Sequence, residues 1–415
     1  MAHIAFLETN TTGSGYEAIA AAKRAGHRVT FVTRDIEAYL LPGQLQLDTT
    51  LIDDVVGTET NDPDQVVAAL RPLLPGLDAL ISIGEWHMIS GAESAHRLGL
   101  PGQAPDSVRA ARIKSLQREA CARAGVPVPA FAVALTPEDA AAAAVAQGFP
   151  CIVKPVDYGG SYGVKLCTGA QEVADHSVWL HSVTHNQRDQ RMSQEILIEE
   201  YLKGPEISLE TLTFDGVTRF LAITQKQTVP PPSFYETGHA LPAVLEPGLE
   251  AECRRIATDA LAAIGYVFGA GHIELKLTAE GPKLIEVNCR PAGDRITHLL
   301  NRALEVDPTE LLIEMYLGTP PDRIPEPARG AAIVFLPSPG GRVVAIEGVE
   351  RARAVPGVEE VSLYVGPGDV LAPPTNNNDR LGYVTATGPD STAALAAATV
   401  AAESILVKLE TEESA

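Results

Sequence analysis

The stretch 271–290 constrains the fold most strongly, because polar and apolar side chains alternate on both sides of a short turn. Alternation with a period of two is typical of β-strands that bury one face. The sequence therefore predicts a β-hairpin that turns at 279–281 and carries its polar side chains on one face. The polar residues of that face are His272, Glu274 and Lys276 on the first strand and Glu286, Asn288 and Arg290 on the second.

Two glutamates face each other across this predicted hairpin. A turn centred on residue 280 places Glu274 opposite Glu286, and like charges in that position repel each other. A cation between them removes the repulsion. Two carboxylates and the Asn288 carbonyl form an oxygen-only donor set, which suits Mg²⁺ better than zinc. A solvated acidic surface is the alternative, but Asn288 and Arg290 on the same face favour the metal site.

A glycine-rich segment at 157–163 joins two further predicted strands. The sequence GxxxxGK[ST] is absent and a strand rather than a helix follows, so we predict a hairpin flap instead of a P-loop. Glycines let backbone N–H groups approach phosphate oxygens closely. A plain turn is the alternative. The groups available to a phosphate are the backbone of Gly159, Gly160 and Gly163, the hydroxyl of Ser161 and the amine of Lys154.

A third segment, 198–206, ends a predicted strand with two adjacent acids. The hinge that follows offers backbone groups to a purine ring, and Glu206 beyond it offers a carboxylate to a ribose. Considered alone, a surface strand with paired acids explains the segment more simply.

The composition excludes several classes of function. The 415 residues include 53 acidic and 32 basic side chains, which gives a net charge of −21. This charge argues against nucleic acid and against an anionic membrane surface as partners, and no apolar run is long enough to span a bilayer. Five cysteines without a CxxC pair are typical of reduced thiols, so we expect a cytoplasmic protein.

Three regions are expected, all of the α/β (α+β) class: 1–105 as an open Rossmann-like domain, 106–325 as the region that carries the three segments, and 326–415 as a small α/β cap. Single helices are predicted at 107–124 and 391–408. The three consecutive prolines at 230–232 and the residues that follow them up to His239 are expected to lie in a long irregular segment, and the tail 410–415 to be frayed.

Taken in this order, the three segments resemble the ATP-grasp superfamily over about residues 107–300. The stretch 224–242 and the C-terminal region are similar to those of L-amino-acid ligases and related carboxylate–amine ligases. The resemblance implies an ATP-grasp fold that uses ATP and two Mg²⁺ ions, for which Mn²⁺ can substitute. It also implies amino-acid substrates, allows a homodimer, and indicates an amide or peptide bond formed through an acyl phosphate with release of ADP and phosphate.

The resemblance assigns residues to the nucleotide. Two lysines would bind the phosphates beneath the flap, and residues of the third segment, 198–206, would hold the adenosine. The implied contacts are Lys114 and Lys154 to phosphate, Gly159, Gly160, Ser161 and Gly163 from the flap, Glu199 to the adenine amino group, Tyr201 and Leu202 to the ring, and Glu206 to the ribose.

It also assigns residues to the metal, the chemistry and the substrates. Glu274, Glu286 and Asn288 match the family's Mg²⁺ ligands. Arg290, Lys154 and His272 are the implied catalytic residues, and Arg290, Gly293, His239, Glu236 and Ser14 the implied substrate contacts. Arg295 could replace Arg290 as the carboxylate-binding cation, and an ion pair of Arg290 with Glu286 is a purely structural alternative.

Other functions are compatible with parts of the sequence. An ATP-grasp carboxylase or a nucleotide-biosynthesis ligase would use the same scaffold, and a nucleotide-binding regulatory module would retain the adenine hinge but lose the metal ligands. The stretch 13–18 fits a G-x-G-x-x-A dinucleotide fingerprint, with Asp35 ending the next predicted strand. Residues 9–12 separate the first strand from that motif, where a tight turn is required, so nicotinamide binding is not expected.

Overall fold

The computed structural model describes residues 1–10, 13–40, 46–229, 235–374 and 376–410. Its first part is a four-stranded parallel sheet in the order β3-β2-β1-β4 with helices on its faces, the open α/β domain expected from the sequence. In chain order its elements are β1 (His3–Leu7), α1 (Ser14–Arg24), β2 (Arg28–Thr33), β3 (Asp54–Gly57), α2 (Pro63–Leu70), β4 (Ala79–Ile81) and α3 (Met88–Leu98).

The second part contains four helices and an antiparallel sheet in the order β5-β8-β6-β7. The pair β6–β7 forms the predicted flap hairpin. In chain order the elements are α4 (Pro105–Arg112), α5 (Lys114–Arg123), β5 (Phe131–Ala134), α6 (Pro137–Gln147), β6 (Cys151–Pro155), β7 (Lys165–Cys167), α7 (Ala170–Ser182) and β8 (Ile196–Glu200).

The single helix predicted over 107–124 is wrong, because the chain breaks at Ile113. Ile113 is extended, with φ −99° and ψ 106°, and the next amide, that of Lys114, donates a hydrogen bond of 2.8 Å to the carbonyl of Val156 beside the flap. This long-range bond explains why the local helical pattern fails there. The break also makes Lys114 the first residue of α5, directly beneath the flap.

An eight-stranded antiparallel sheet dominates the remainder, in the order β13-β12-β9-β10-β11-β14-β18-β16. Three of these strands come from the expected C-terminal cap, so the cap extends the large sheet. In chain order the elements of this part are β9 (Glu206–Phe214), β10 (Val217–Thr228), β11 (Glu236–Leu241), α8 (Pro247–Ala263), β12 (Gly269–Thr278), β13 (Gly281–Asn288), α9 (Ile296–Leu304), α10 (Pro308–Tyr316), β14 (Gly330–Leu336), β15 (Gly341–Glu347), α11 (Val349–Arg353), β16 (Val358–Leu363), β17 (Val370–Leu371), β18 (Gly382–Gly388), α12 (Ser391–Glu403) and β19 (Leu406–Leu409).

Two further expectations for this part are corrected. In the segment expected to be irregular, residues 236–239 belong to β11, which pairs with β10, and residues 230–234 lie outside the described chain. The helix predicted over 391–408 ends at Glu403, because the chain then forms β19 and pairs with β15 in a small sheet of order β17-β15-β19. In the tail expected to be frayed, residues 411–415 also lie outside the described chain.

Apolar side chains of the N-terminal domain and of the large sheet share one core, while the small sheet β5-β8-β6-β7 has a cluster of its own. The largest cluster includes Ile4 and Phe31 from the first sheet together with Leu241 and Ile333 from the large sheet. All five cysteines are buried and free of disulfides. Among the described residues, no helix is long and apolar enough to cross a membrane.

A substitution at Gly330 tests the packing of α12 against β14 of the large sheet. A Cβ atom at this position in β14 would lie 2.0 Å from the carbonyl carbon of Asp390, the N-cap residue of α12. Gly330→Ala must therefore displace backbone, and we expect it to lower the free energy of unfolding by about 1–3 kcal/mol. The control is Gly248→Ala in the first turn of α8, where the new methyl meets no atom within 4 Å. Equal Tm values for the two variants would contradict this packing.

Candidate active site

The register of the large sheet gathers polar side chains from five strands on one face, because directly opposed residues of antiparallel strands point to the same side. It pairs Glu274 with Glu286, as the sequence predicts. Successive rows across the sheet are Asn288, His272 and Glu210; then Glu286, Glu274, Ser208 and Thr224; then Lys276, Glu206, Lys226 and His239.

Glu274 is held by two cationic side chains. The Nζ of Lys226 lies 2.6 Å and the Nε2 of His272 3.0 Å from its Oε1 atom, and the Nδ1 of His272 lies 2.9 Å from Glu210. Burial alone would lower the pKa of His272, but Glu210 and Glu274 raise it to about 9. Burial would raise the pKa of Glu274, but Lys226 and His272 hold it well below its usual range. Glu274 is therefore an ionised carboxylate at neutral pH.

Lys114 connects Glu286 to the flap. The Nζ of Lys114 lies 2.9 Å from Glu286 and donates a hydrogen bond of 2.7 Å to the backbone carbonyl of Tyr158 in the flap. Glu274, Glu286 and Asn288 thus present two carboxylates and an amide on adjacent strands of one face. This oxygen-only donor set fits a hard divalent cation such as Mg²⁺.

The flap lies against the N-terminal domain. Ser161 has a positive φ of 60° between Gly160 at 64° and Gly163 at 72°, conformations that glycine adopts without strain. A Cβ at Gly159 would lie 2.1 Å from a carboxylate oxygen of Glu85. The ring of Tyr158 in the flap meets that of Trp86 edge-on, with centroids 4.9 Å apart. The flap therefore contacts Lys114 on one side and Glu85 and Trp86 of the N-terminal domain on the other.

Lys154 forms an ion pair with the buried carboxylate of Glu199. The Nζ of Lys154 lies 2.5 Å from Oε2 of Glu199, and the Nε of Arg118 lies 2.5 Å from Oε1. Burial would raise the pKa of Glu199, but Arg118 and Lys154 lower it to about 2. One oxygen of Glu199 is thus paired with Lys154 and the other with Arg118, and the contact of Glu199 with an adenine amino group stays a prediction. Sequence patterns did not indicate Arg118 as a site residue, although it lies one helical turn after Lys114 on the same face of α5.

The remaining nucleotide candidates flank the end of β8. Tyr201 and Leu202 follow that strand directly and are half-buried. Glu206 begins β9 and lies between two lysines, 2.9 Å from Lys226 and 3.1 Å from Lys276. The structure therefore places all three along one boundary between the small sheet and the large sheet.

Arg290 reaches the N-terminal domain rather than Glu286. Its Nη2 lies 3.1 Å from Glu85, its Nη1 donates to the carbonyl of Pro291, and its buried Nε has no hydrogen-bond partner. Arg112 lies 3.6 Å from the same glutamate. Burial would raise the pKa of Glu85, but Arg290, Arg112 and Lys114 lower it to about 2. Glu85 was missed because no local pattern marks it.

Arg295 is engaged elsewhere. It lies 3.0 Å from Glu360 of β16 and stands over the ring of Tyr383, 5.1 Å from its centroid. Two further substrate candidates lie at the ends of the site: Ser14 starts α1 and accepts a hydrogen bond of 2.7 Å from Asn10, and Gly293 is half-buried in the loop after β13.

The last two substrate candidates belong to a cluster that includes residues of the cap. His239 is fully buried, with its Nε2 3.6 Å from Glu236 and 3.5 Å from Asp294. Arg380 donates two hydrogen bonds, of 2.7 and 2.9 Å, to Asp294, and Asn377 donates one of 3.2 Å to Glu236. Sequence patterns did not indicate Asp294, Asn377 or Arg380, since only the fold brings the cap to this loop.

Three family models match the chain in sequence order. They are the ATP-grasp N-terminal domain over residues 17–102, the ATP-grasp domain over 147–298 and the L-amino acid ligase C-terminal domain 2 over 334–410.

Individual proteins also resemble the chain, at 21–29% sequence identity. "Uncharacterized protein y4rH" of Sinorhizobium fredii is 29% identical over 94% of this chain and 79% of its own length. Alanine–anticapsin ligase of Bacillus subtilis is 28% identical over 58% of this chain, which spans only 54% of that enzyme. The crystal structure of L-amino acid ligase from Bacillus licheniformis superposes with a TM-score of 0.82 at 21% identity, covering 99% of both chains.

At that identity the structural likeness shows a common fold, and the family models supply the assignment. The flap hairpin and the paired glutamates both lie within the residues that the ATP-grasp domain model matches. The chain therefore belongs to the ATP-grasp superfamily and carries the C-terminal domain of the L-amino acid ligases.

Proposed function

We propose that this protein is an ATP-dependent carboxylate–amine ligase that joins an amino acid to an amine, in the first place a second amino acid. The observation that carries the proposal is the single sheet face on which the oxygen-only donor set meets two lysines beneath a glycine-rich flap. The γ-phosphoryl group of ATP moves to the substrate carboxylate to give an acyl phosphate. The amine then displaces phosphate.

The lysines and the flap supply the phosphate site. Lys114 and Lys154 come from different elements, and each is fixed by a carboxylate, Glu286 for the first and Glu199 for the second. Fixed cations stabilise the charge that spreads over the oxygens of a transferring phosphoryl group. Mg²⁺ bound by Glu274, Glu286 and Asn288 would neutralise further charge on the same phosphates.

Arg290 supplies the carboxylate site. It continues the face of β13 two residues beyond Asn288 and carries an unpaired Nε. Its planar guanidinium group can hold a carboxylate with two parallel hydrogen bonds, which a lysine cannot do. Glu85 fixes the outer nitrogen of Arg290, so the guanidinium group is oriented before the substrate arrives.

The flap protects the intermediate from water. An acyl phosphate hydrolyses when water reaches it, so enzymes that form one close over it. Tyr158 and Tyr162 of the flap stack with ring centroids 4.2 Å apart, and Trp86 meets Tyr158 from the N-terminal domain. These contacts favour the closed position of the flap.

A screen of amino-acid pairs tests the proposal. The purified protein, ATP and Mg²⁺ are incubated with single amino acids and with pairs, and phosphate, ADP and the condensed product are measured. We expect particular pairs to release phosphate and ADP in equal amounts with a dipeptide. Stimulation by bicarbonate or by a phosphosugar amine, with no response to any pair, would assign the protein to another branch of the superfamily. AMP and pyrophosphate as products would contradict the acyl-phosphate mechanism.

Glu286→Gln tests the metal site. The variant removes one charge from the donor set while retaining the size of the side chain. Turnover should fall by more than about 100-fold, the upper end for loss of a residue that only supports a metal ligand. Glu280→Gln is the control, because Glu280 lies in the turn of the same hairpin with its side chain 78% exposed. Normal turnover of Glu286→Gln across a Mg²⁺ titration would exclude Glu286 as a ligand.

Arg290→Lys tests the carboxylate site. The variant keeps the charge but loses the planar pair of donors, so amide formation should fall much further than ATP affinity. Arg295→Lys is the matched control, since the structure engages Arg295 with Glu360 and Tyr383. ATP affinity is measured by calorimetry and amide formation by product analysis. An equal loss of both in Arg290→Lys would show that Arg290 is structural and that the carboxylate binds elsewhere.

A further inference from the structure

The loop between α7 and β8 brings one arginine to the N-terminal domain. Asn61, which follows β3, donates a hydrogen bond of 3.0 Å to the carbonyl of Arg188 and accepts one of 2.9 Å from Gln190. Gln190 also donates one of 2.8 Å to the carbonyl of Trp86, which follows β4. The carboxyl ends of parallel strands border the crevice in which open α/β sheets bind ligands. These contacts therefore hold Arg188 at that crevice.

Within the described residues, the guanidinium group of Arg188 forms no ion pair. It stands over the ring of Tyr39, 5.3 Å from the centroid, and its Nη2 donates one long hydrogen bond of 3.5 Å to the carbonyl of Thr9. Glu8 precedes Thr9, but its oxygens accept hydrogen bonds from three hydroxyl groups and one backbone amide. Arg188 is half-buried, so the crevice contains a positive charge that a small molecule can still reach.

Two hydroxyl groups at the same crevice also lack partners. Thr9 is 3% exposed and Tyr16 of α1 is 9% exposed, and neither hydroxyl forms a hydrogen bond with another described group. Burial raises the pKa of Tyr16 to about 12, against the influence of the positive charge of Arg188, so the phenol keeps its proton at neutral pH. Buried polar groups are normally paired. The surroundings of Arg188 thus contain unused donors, which favours an anion as the ligand.

The crevice adjoins the proposed site of the reacting carboxylate. The backbone of Thr9 packs against Gly84, where a Cβ atom would lie 3.1 Å from the carbonyl carbon of Thr9. The next residue, Glu85, lies 3.1 Å from Arg290. Arg188 and Arg290 are therefore connected to the same short part of the N-terminal domain, the first through Thr9 and the second through Glu85.

We propose that Arg188 binds the α-carboxylate of the amino acid that supplies the amine. The proposal rests on the ligase function proposed above and names the class of its second substrate, an amine that carries a carboxylate. Arg290 would then hold the carboxylate that is phosphorylated, and Arg188 the one that is not.

Charge and shape both favour an arginine for this task. The chain has a net charge of −21, so a second carboxylate needs a local cation of its own. A planar guanidinium group can hold a carboxylate with two parallel hydrogen bonds. Because the loop contacts fix the backbone of Arg188 in advance, less conformational freedom is lost when the substrate binds.

An amino acid and its α-carboxamide test the recognition, because the carboxamide keeps the amine and loses the charge. The preferred amine substrate of the wild type is compared with its carboxamide, and the ratio of the two kcat/KM values is measured in each protein. In Arg188→Gln this ratio should fall by about 10- to 100-fold, the range for one hydrogen bond to a charged group. The change should come from a higher KM for the amino acid. Because only the change in the ratio is used, the different reactivity of the two amines cancels.

Arg191→Gln is the matched control, since Arg191 is an exposed arginine of the same loop. It should leave the ratio unchanged. Hydroxylamine provides a second control, because it traps an acyl phosphate as a hydroxamate and has no carboxylate. Hydroxamate formation and the KM values of ATP and of the acid substrate should therefore stay at wild-type values in Arg188→Gln. If Arg188→Gln lowers the Tm, Arg188→Lys tests the same claim, because it keeps the charge but loses the paired donors and should lower the ratio in part.

Three results would overturn the proposal. Equal losses for the amino acid, its carboxamide and hydroxylamine in a variant that keeps the wild-type Tm would make Arg188 a structural contact of the loop. An unchanged ratio would place the carboxylate of the amine substrate elsewhere. A higher KM for the acid substrate alone would assign Arg188 to the other amino acid. Failure of the ligase function itself is distinguishable, because the wild-type protein would then form no hydroxamate with any amino acid.

Discussion

One buried ammonium group allows the acidic face of the large sheet to exist. The Nζ of Lys226 lies 2.9 Å from Glu206 and 2.6 Å from both Glu236 and Glu274, and the lysine side chain is only 3% exposed. Burial would lower the pKa of Lys226, but the three glutamates raise it well above its usual range. Without this charge, three carboxylates from separate strands would repel one another in a place with little water. The acids proposed for ribose, substrate and metal therefore share one counterion.

The site is assembled by contacts between distant parts of the chain. Lys114 joins the flap to the β12–β13 hairpin, Glu85 joins the N-terminal domain to Arg290, and Arg380 joins the cap to Asp294. Each joint is a charge pair with limited access to solvent, where the loss of one partner leaves the other uncompensated and costs several kcal/mol. The geometry of the face thus depends on all three parts of the chain being folded together.

Local patterns predicted the features that depend on neighbours in sequence. The period of two and the turn near residue 280 were sufficient to pair Glu274 with Glu286, and glycines between two strands were sufficient to indicate the flap. Features that depend on distant contacts were missed. The helix break at Ile113 follows from a hydrogen bond to Val156, and Glu85 carries no local signal.

Lys226 illustrates the same limit. In sequence it is one lysine in a stretch that ends in three prolines, and its role appears only when β9, β11 and β12 are aligned beside β10. The proposed metal ligands are recognisable in sequence because hairpin geometry relates them, whereas their counterions come from other strands and other domains.

Oxygen transfer from the substrate carboxylate tests the central claim most directly. In a reaction with an amino acid labelled with ¹⁸O in its carboxylate, ATP and an amine, the mass of the released phosphate is measured. An acyl phosphate requires one labelled oxygen to move into inorganic phosphate, because the C–O bond breaks when the amine attacks. We predict one ¹⁸O atom per phosphate released. Unlabelled phosphate, or label found in AMP, would contradict the proposed chemistry.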